Sequence, residues 1–214
     1  MDHCGPLAAV TTEVADALGL VTAVDVTAKE SLPPFANTAM DGFAIRSTDL
    51  STIPARLRIV ETIAAGHSPS REIGEGEASR IMTGAPIPVG ADAIVMVEKT
   101  SVDGDTVTIE TQVEPGNHIR PAGDDVAEGD LVFPSGTELS AGHLGLLCSL
   151  GLREIETYPR LRVGVISTGD ELVDDGGALA PGQIRDSNRR TLLSLLSGDG
   201  FEPVDLGLIA DDEL

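Results

Sequence analysis

Two acidic residues follow a strongly apolar stretch at the point where its backbone must turn. Residues 161–166 carry branched apolar side chains that favour a buried strand, and Ser-Thr-Gly at residues 167–169 ends it and leaves backbone amides free for an anion. Asp170 and Glu171 come next. In an open α/β sheet, ligands bind outside the carboxyl ends of the strands, where carboxylates could hold a cation that faces phosphate. An ordinary Gly-Asp turn is the alternative interpretation.

Three other polar side chains stand at corners built from glycine and proline. Asp41 precedes a glycine after an extended Pro-Pro segment, Thr83 precedes a glycine in an irregular loop, and Asp125 follows a Pro-Ala-Gly-Asp sequence. Asp41 is either a ligand or the brace of an Asx-type turn, and the turn brace is the commoner role. The hydroxyl of Thr83 could bind a ligand or satisfy its own loop, and the second is the more frequent finding.

Four arginines, Arg46, Arg80, Arg120 and Arg185, lie near these acidic corners. Guanidinium groups beside carboxylates suggest that a small polyanion is clamped by arginine and shares a divalent cation with the acids. Routine surface ion pairs, which contribute little, are the alternative.

Composition excludes several classes of protein. With 14 Lys and Arg residues against 35 Asp and Glu residues, the net charge of −21 repels nucleic acids and anionic membrane surfaces. Aromatic residues make up 2% of the chain, so no stacking platform for single-stranded nucleic acid is expected. The two cysteines cannot build a disulfide framework, and we find neither a signal peptide nor a membrane span. A cytoplasmic protein without nucleic-acid or membrane partners is expected.

The order of the predicted helices and strands predicts an α/β protein with an inserted β-rich domain. We expect an N-terminal helix, then a strand and an extended linker, in residues 1–46, and a β-rich insertion in residues 47–135, with a hairpin at Asp103-Gly104. A return helix capped by Ser140 and ended by Gly151 falls in residues 136–160. Residues 161–214 then form a partial α/β domain.

The last domain is predicted to contain a βαβ unit. A strand at residues 161–166 is followed by a helix over residues 189–196, capped by Asp186 or Ser187, and by a second strand over residues 201–209. Strands this apolar are normally covered on both faces. With a single crossover helix, we expect apolar surface at Val163, Val165, Leu206 and Leu208 to stay exposed.

Five motifs in order carry a resemblance to a known family. They are the segments Leu-Pro-Pro-Phe-Ala-Asn-Thr-Ala-Met-Asp-Gly-Phe-Ala at 32–44, Arg-Ile-Met-Thr-Gly-Ala-Pro at 80–86, Gly-Asp-Asp at 123–125, Ser-Thr-Gly-Asp-Glu-Leu at 167–172 and Gln-Ile-Arg-Asp-Ser-Asn at 183–188. Together they resemble molybdopterin molybdenumtransferase, the family that includes the catalytic domain of gephyrin. The similarity runs from about residue 12 to the last residue.

The resemblance implies a cytoplasmic homodimer that binds adenylylated molybdopterin, cleaves its phosphoanhydride with Mg²⁺ and inserts molybdenum from molybdate. Contact with the molybdopterin adenylyltransferase is a further implied partnership. By position, the family's catalytic residues fall on Asp41, Thr83, Asp125 and Glu171, and its metal ligands on Asp41, Glu171 and Asp211. The implied substrate-binding residues are Ser167, Thr168, Gly169, Asp186, Ser187, Asn188 and Asp211.

The chain also departs from the family pattern. Members normally begin with an additional N-terminal helix and continue beyond the position of Leu214 into further acidic and β-rich segments. We therefore expect a C-terminally truncated chain that is inactive alone, with an incomplete pterin-binding domain. A non-catalytic dimeric binding or scaffold protein of the same family, or an inactive fragment, is the alternative function.

Overall fold

The computed structural model describes residue 5 and residues 7–211, which form two compact units. The central unit consists of Thr27–Val132 with Ser149–Gly151, and the terminal unit consists of the residues up to Val26, Phe133–Cys148 and the residues from Leu152 onward. The domain boundaries expected after residues 46, 135 and 160 stay predictions.

Strands dominate the described chain, and helices are few. The strands are β1 (Val10–Glu13), β2 (Val21–Thr22), β3 (Val26–Thr27), β4 (Asn37–Thr38), β5 (Gly42–Ile45), β6 (Ala55–Ile63), β7 (Glu77–Ile81), β8 (Ala93–Met96), β9 (Thr100–Asp103), β10 (Thr106–Ile109), β11 (Ile119–Arg120), β12 (Leu131–Phe133), β13 (Glu154–Tyr158), β14 (Arg162–Thr168), β15 (Leu172–Val173), β16 (Ile184–Arg185) and β17 (Glu202–Ile209). The α-helices are α1 (Ala141–Ser149) and α2 (Asn188–Gly198), and 3₁₀ turns cover Val14–Asp16, Ser47–Leu50 and Val97–Lys99.

A six-stranded sheet, in the order β8-β5-β7-β6-β10-β9, forms the body of the central unit. Phe43 and Ile45 of β5 are fully buried in one apolar cluster, and Ala44, between them, is buried in a second. Successive side chains of a strand point to opposite faces, so this sheet is covered on both sides. The predicted β-rich character of the region is confirmed, and with it the mixed α/β fold class.

The predicted hairpin is also confirmed. β9 and β10 pair antiparallel, with Asp103 opposite Thr106, and Gly104 in the connection adopts a φ of 59°. Glycine reaches this left-handed conformation without the steric cost that a side chain would impose.

The predicted N-terminal helix is wrong. Residues 10–13 form β1 at the edge of a three-stranded sheet in the order β1-β13-β2, and a 3₁₀ turn at Val14–Asp16 follows. Val14, Ala17 and Leu20 are buried. Their spacing of three residues reflects a tight turn rather than an α-helix, while Val-Thr-Thr before them favours a strand. The predicted return helix is confirmed as α1.

The predicted βαβ unit is confirmed in the terminal unit. β14 and β17 pair in parallel, and α2 lies between them in sequence and contacts both. Leu206 is 56% exposed as expected, but Val165 is only 6% exposed, so the expectation of an open apolar face is wrong for Val165.

No helix among the described residues is long and apolar enough to cross a membrane.

Candidate functional site

Asp41 stands at a corner that local hydrogen bonds hold in place. The hydroxyl of Thr38 accepts a hydrogen bond from the Met40 amide at 3.2 Å, which braces the turn after β4. The Val97 amide donates to the Asp41 carbonyl oxygen at 3.1 Å. Thr38 thus forms a side-chain turn of the kind that Ser and Thr favour.

Gly42 is required where the chain enters β5. A Cβ added to Gly42 would lie 2.2 Å from the carbonyl oxygen of Val95. Gly42 pairs with Ile81 of β7 on one side and with Met96 of β8 on the other, so the backbone has no room to move away. Asp41 therefore directly precedes the first residue of a closely packed strand, β5.

Asp41 receives two hydrogen bonds from Thr83. The Thr83 amide and hydroxyl donate to the same oxygen, Oδ1 of Asp41, at 2.7 and 2.8 Å. These bonds, the amide first, hold the pKa of Asp41 below its ordinary value, and the nearby Arg80 lowers it further. Oδ2 accepts no hydrogen bond from any residue that the structure describes, and the side chain is exposed.

Asp125 lies in a loop that is clamped by Arg120. Nη2 of Arg120 donates to both carboxylate oxygens of Asp125 at 2.8 Å, and its Nε donates to Asp124 at 3.2 Å. The two carboxylates, Asp125 first, raise the pKa of Arg120. The Asp125 amide donates to the Leu32 carbonyl oxygen at 2.9 Å, which ties the loop to the preceding Pro-Pro segment.

The short strand β4 joins these features within the central unit. Its Asn37 pairs with Arg120 of β11, and the carbonyl oxygen of Thr38 accepts the Gly84 amide at 2.8 Å. The Asp41 corner, the Thr83 loop and the Asp125 loop are therefore anchored to one strand. Three of the four predicted catalytic residues belong to this arrangement.

Glu171, the fourth, lies in the terminal unit in the loop that follows β14. Gly169 adopts a φ of 145°, and an added Cβ would come within 2.6 Å of the Glu171 carboxylate. Residues with a side chain rarely adopt this φ, so the conformation favours glycine at the position before Asp170 and Glu171. The Glu171 carboxylate has no hydrogen-bond or ion-pair partner among the described side chains and is exposed.

Asp211 lies beside the same loop. Its amide donates to Oδ1 of Asp170 at 3.1 Å just after β17 ends. The Gly169 amide, however, donates to the Ile209 carbonyl oxygen at 3.2 Å. The expectation that the loop leaves this amide free for an anion is wrong, because the strand pairing continues as far as Gly169.

Asp186 has a structural partner that the sequence did not indicate. Its carboxylate accepts from the Nε of Arg189 at 2.8 Å and from the Arg189 amide at 3.2 Å, which confirms it as the cap of α2. Arg189 also binds Asp174 and Asp205. Both Asp186 and Arg189 are buried, and the Arg189 guanidinium holds the pKa of Asp186 below its ordinary value.

The remaining predicted binding residues surround this buried network. The Ser167 hydroxyl lies near enough to Asp186 to lower the pKa of its carboxyl, which places the loop after β14 beside the cap of α2. Thr168 is the last residue of β14 and is exposed, as are Ser187 and Asn188 at the start of α2. Their side chains can meet a ligand that approaches the carboxyl end of β14.

The donor chemistry of the predicted metal ligands suits Mg²⁺. Asp41 Oδ2 and the Glu171 carboxylate are exposed oxygens that carry no protein partner among the described residues. Mg²⁺ typically binds one or two carboxylates together with substrate phosphates and water. No group of three His, Cys, Asp or Glu side chains within the described ranges is close enough to hold a metal ion by itself.

Two family models match the sequence. One, described as the MoeA N-terminal region (domain I and II), matches residues 2–151, and the other, described as a probable molybdopterin binding domain, matches residues 164–214.

Named relatives and solved structures agree with these matches. Molybdopterin molybdenumtransferase 2 of Mycobacterium tuberculosis (strain ATCC 25618 / H37Rv) is 44% identical over 216 residues, which cover 99% of this chain and 53% of the relative. The molybdopterin molybdenumtransferase of Haemophilus influenzae is 42% identical over 92% of this chain and 49% of its own length. A crystal structure of the molybdopterin biosynthesis MoeA protein of Pyrococcus horikoshii OT3 superposes with a TM-score of 0.88 at 31% identity, covering 96% of this chain and 56% of that chain. The chain thus spans about half the length of the relatives it matches.

Proposed function

The chain belongs to the MoeA family, and from this we propose that it acts in molybdenum cofactor biosynthesis as part of a molybdopterin molybdenumtransferase. The proposed substrates are adenylylated molybdopterin and molybdate. The reaction cleaves the phosphoanhydride of the adenylate and transfers molybdenum to the pterin dithiolene.

The double hydrogen bond from Thr83 to Asp41 is the observation that carries the proposal. It directs one oxygen of the carboxylate towards the protein and leaves the other for a ligand. It also keeps the carboxylate ionised, because both donors stabilise the charged form. An ionised, oriented and exposed carboxylate suits a site that holds a cation against phosphate.

We propose Asp41 as a Mg²⁺ ligand of the central unit, and Glu171 and Asp211 as Mg²⁺ ligands of the terminal unit. When bound, Mg²⁺ would offset the negative charge of the phosphoanhydride. The Thr83 bonds orient Asp41 and have no evident role in core packing, and the Glu171 carboxylate is exposed.

Other residues of the chain have proposed roles in binding and orientation. Arg120 holds Asp125 through two hydrogen bonds, so this carboxylate can accept a further hydrogen bond from a ligand at a defined position. Ser167, Thr168, Ser187 and Asn188 are proposed to bind the substrate at the carboxyl end of β14, where open α/β sheets bind ligands. Asp186 is proposed to orient Ser167 from its buried position.

The proposed assembly is a cytoplasmic homodimer that also contacts the molybdopterin adenylyltransferase. The family resemblance supports this assembly. The dimer is also supported by the edge position of β1, where Val10 is 42% exposed. Analytical ultracentrifugation tests the dimer. A strict monomer at high protein concentration would contradict it.

A product assay tests the proposed activity. Because the chain spans about half the length of its relatives and is expected to be inactive alone, a full-length version is incubated with adenylylated molybdopterin, and AMP release is followed with and without molybdate and Mg²⁺. Release that requires both additions is the expected result. Tight ligand binding without any AMP release would instead favour a non-catalytic member of the family.

A further inference from the structure

A cavity of about 400 Å³ in the central unit lies outside the residues assigned to the proposed function. Its charged lining consists of Arg46, Arg71, Glu72 and Glu77, and backbone from Gly74 and Gly90 completes it. We call it the Arg46 cavity. Its volume is within the range of small-molecule sites in proteins.

The wall of the Arg46 cavity depends on a close backbone approach. Gly90 adopts a φ of 92°, and a Cβ at this position would lie 2.3 Å from the Ile73 carbonyl oxygen. The Ile73 amide donates to the Val89 carbonyl oxygen at 2.9 Å, which holds the two loops together. Ile73 itself is only 2% exposed. The cavity is therefore bounded by a packed part of the fold.

The carboxylate of Glu77 is already occupied by neighbouring donors. Its Oε1 accepts from Nη2 of Arg58 at 2.5 Å, and its Oε2 accepts from Arg71 and from the Gly74 amide, both at 3.1 Å. Together these bonds lower the pKa of Glu77, the Gly74 amide having the largest effect. Glu77 thus orients Arg71 at the cavity while its own charge is balanced.

Arg46 differs from Arg120 and Arg185, two of the other arginines near the acidic corners. Arg120 binds Asp125, and Arg185 lies 3.8 Å from Asp175. The side chain of Arg46 is partly buried, yet within the described ranges it forms no hydrogen bond or ion pair. A partly buried guanidinium without an acceptor has lost hydrogen bonds to water, and an anionic ligand could replace them.

The local charge is less acidic than that of the chain as a whole. The charged residues that line the cavity are two arginines, Arg46 and Arg71, and two glutamates, Glu72 and Glu77, so their formal charges balance, and Arg58, outside the lining, also binds Glu77. The whole chain has a net charge of −21. A small anion therefore meets less repulsion at this cavity than on the average surface of the chain.

We propose that the Arg46 cavity is a second ligand site, which binds the phosphate group of a small phosphorylated molecule. The guanidinium of Arg46 donates to the phosphate oxygens, and the free donors of Arg71 provide a second contact. Guanidinium groups match phosphate geometry through paired hydrogen bonds. None of the residues proposed for molybdenum transfer lines the cavity, so this site can be tested without measuring that activity.

Amide chemical shifts measured by NMR during titration with inorganic phosphate test the proposal. We expect saturable shifts at Gly74 and Gly90, and an affinity about tenfold weaker in Arg46→Gln. The matched control is Arg56→Gln, which removes the same charge from an exposed position of β6 outside the cavity and should change the affinity less than twofold. Ionic strength is kept constant, because salt screens these interactions.

A second variant keeps the test decisive if Arg46→Gln does not fold. Glu72→Gln removes the exposed carboxylate that opposes an anion and should strengthen phosphate binding by about threefold. The proposal is overturned if the wild type shows no saturable shifts at these glycines. Equal losses of affinity in Arg46→Gln and Arg56→Gln, or an unchanged affinity in Glu72→Gln, would also overturn it.

Discussion

Thr83 and Asp41 are 42 residues apart in sequence, yet the threonine donates its amide and its hydroxyl to one oxygen of the aspartate. The pair lies at the surface, and neither side chain contributes to the apolar clusters of the central unit. A surface carboxylate that accepts two short hydrogen bonds at one oxygen is oriented as well as ionised. This relationship underlies the proposed role of Asp41.

Replacing Thr83 with valine should raise the pKa of Asp41. The substitution removes the hydroxyl donor but keeps the amide donor, which is the larger cause of the low value, so the pKa should stay below its ordinary 3.8. An NMR titration of the Asp41 carboxyl carbon measures it. Thr83→Ser is the control and should leave the pKa unchanged. A pKa that is the same in the valine variant would show that the hydroxyl bond is not formed in solution.

Gly42→Ala should lower the stability of the central unit. The new Cβ would lie 2.2 Å from the Val95 carbonyl oxygen, between two paired strands, and such a clash costs about 3 kcal/mol or more in the free energy of unfolding. Chemical denaturation measures the loss. Gly74→Ala is the matched control, since its Cβ would be 3.4 Å from the nearest atom, and a similar loss in both variants would refute the packing argument.

The Asp186–Arg189 pair should make the terminal unit sensitive to acid. Because Arg189 lowers the folded-state pKa of Asp186 below the ordinary 3.8, the ionised carboxylate stabilises the folded state fully above pH 3.8. This stabilisation is lost as the pH falls through the lower folded-state pKa. Asp186→Asn should therefore lower stability at neutral pH and reduce its decline on acidification, as measured by denaturation from pH 7 to pH 2.

Arg189→Gln should lower the denaturation midpoint of the terminal unit at neutral pH. The variant removes the cation shared by Asp174, Asp186 and Asp205. Arg190 still contacts Asp174 and Asp205, but the buried Asp186 loses its ion-pair partner. The control is Arg162→Gln, which breaks an ion pair with Glu202 whose side chains are 69% and 57% exposed. Exposed pairs contribute little, so this control should have a small effect. Equal midpoints in the two variants would contradict the structural role of Arg189.

The elements that the sequence predicted are those with a clear local signal. The Asp103-Gly104 turn, the apolar strand before Ser167 and the helix that ends before Gly151 all appear in the structure. The N-terminal helix was predicted from Val14 and nearby apolar residues, but these residues are buried by a 3₁₀ turn and a neighbouring sheet. Local spacing alone does not distinguish such a turn from an α-helix.

The site was predicted less completely because its contacts join distant residues. The resemblance to the family identified Asp41 and Thr83 separately, but their hydrogen bonds depend on the meeting of two loops 42 residues apart. The role of Arg189 depends on Asp174 and Asp205, which are 15 and 16 residues away, so no local pattern revealed it. A charged residue at the start of an amphipathic helix is usually exposed, whereas Arg189 is 4% exposed.

The proposed role of Asp41 is tested by the rate of AMP release from adenylylated molybdopterin, compared between Asp41→Asn and Asp103→Asn in a full-length version of the protein. Both variants exchange an exposed carboxylate of the central unit for an amide, but only Asp41 accepts the Thr83 bonds. We predict that Asp41→Asn slows release by about 100-fold or more with little change in thermal stability, and that Asp103→Asn retains the wild-type rate. A wild-type rate in Asp41→Asn would contradict the account.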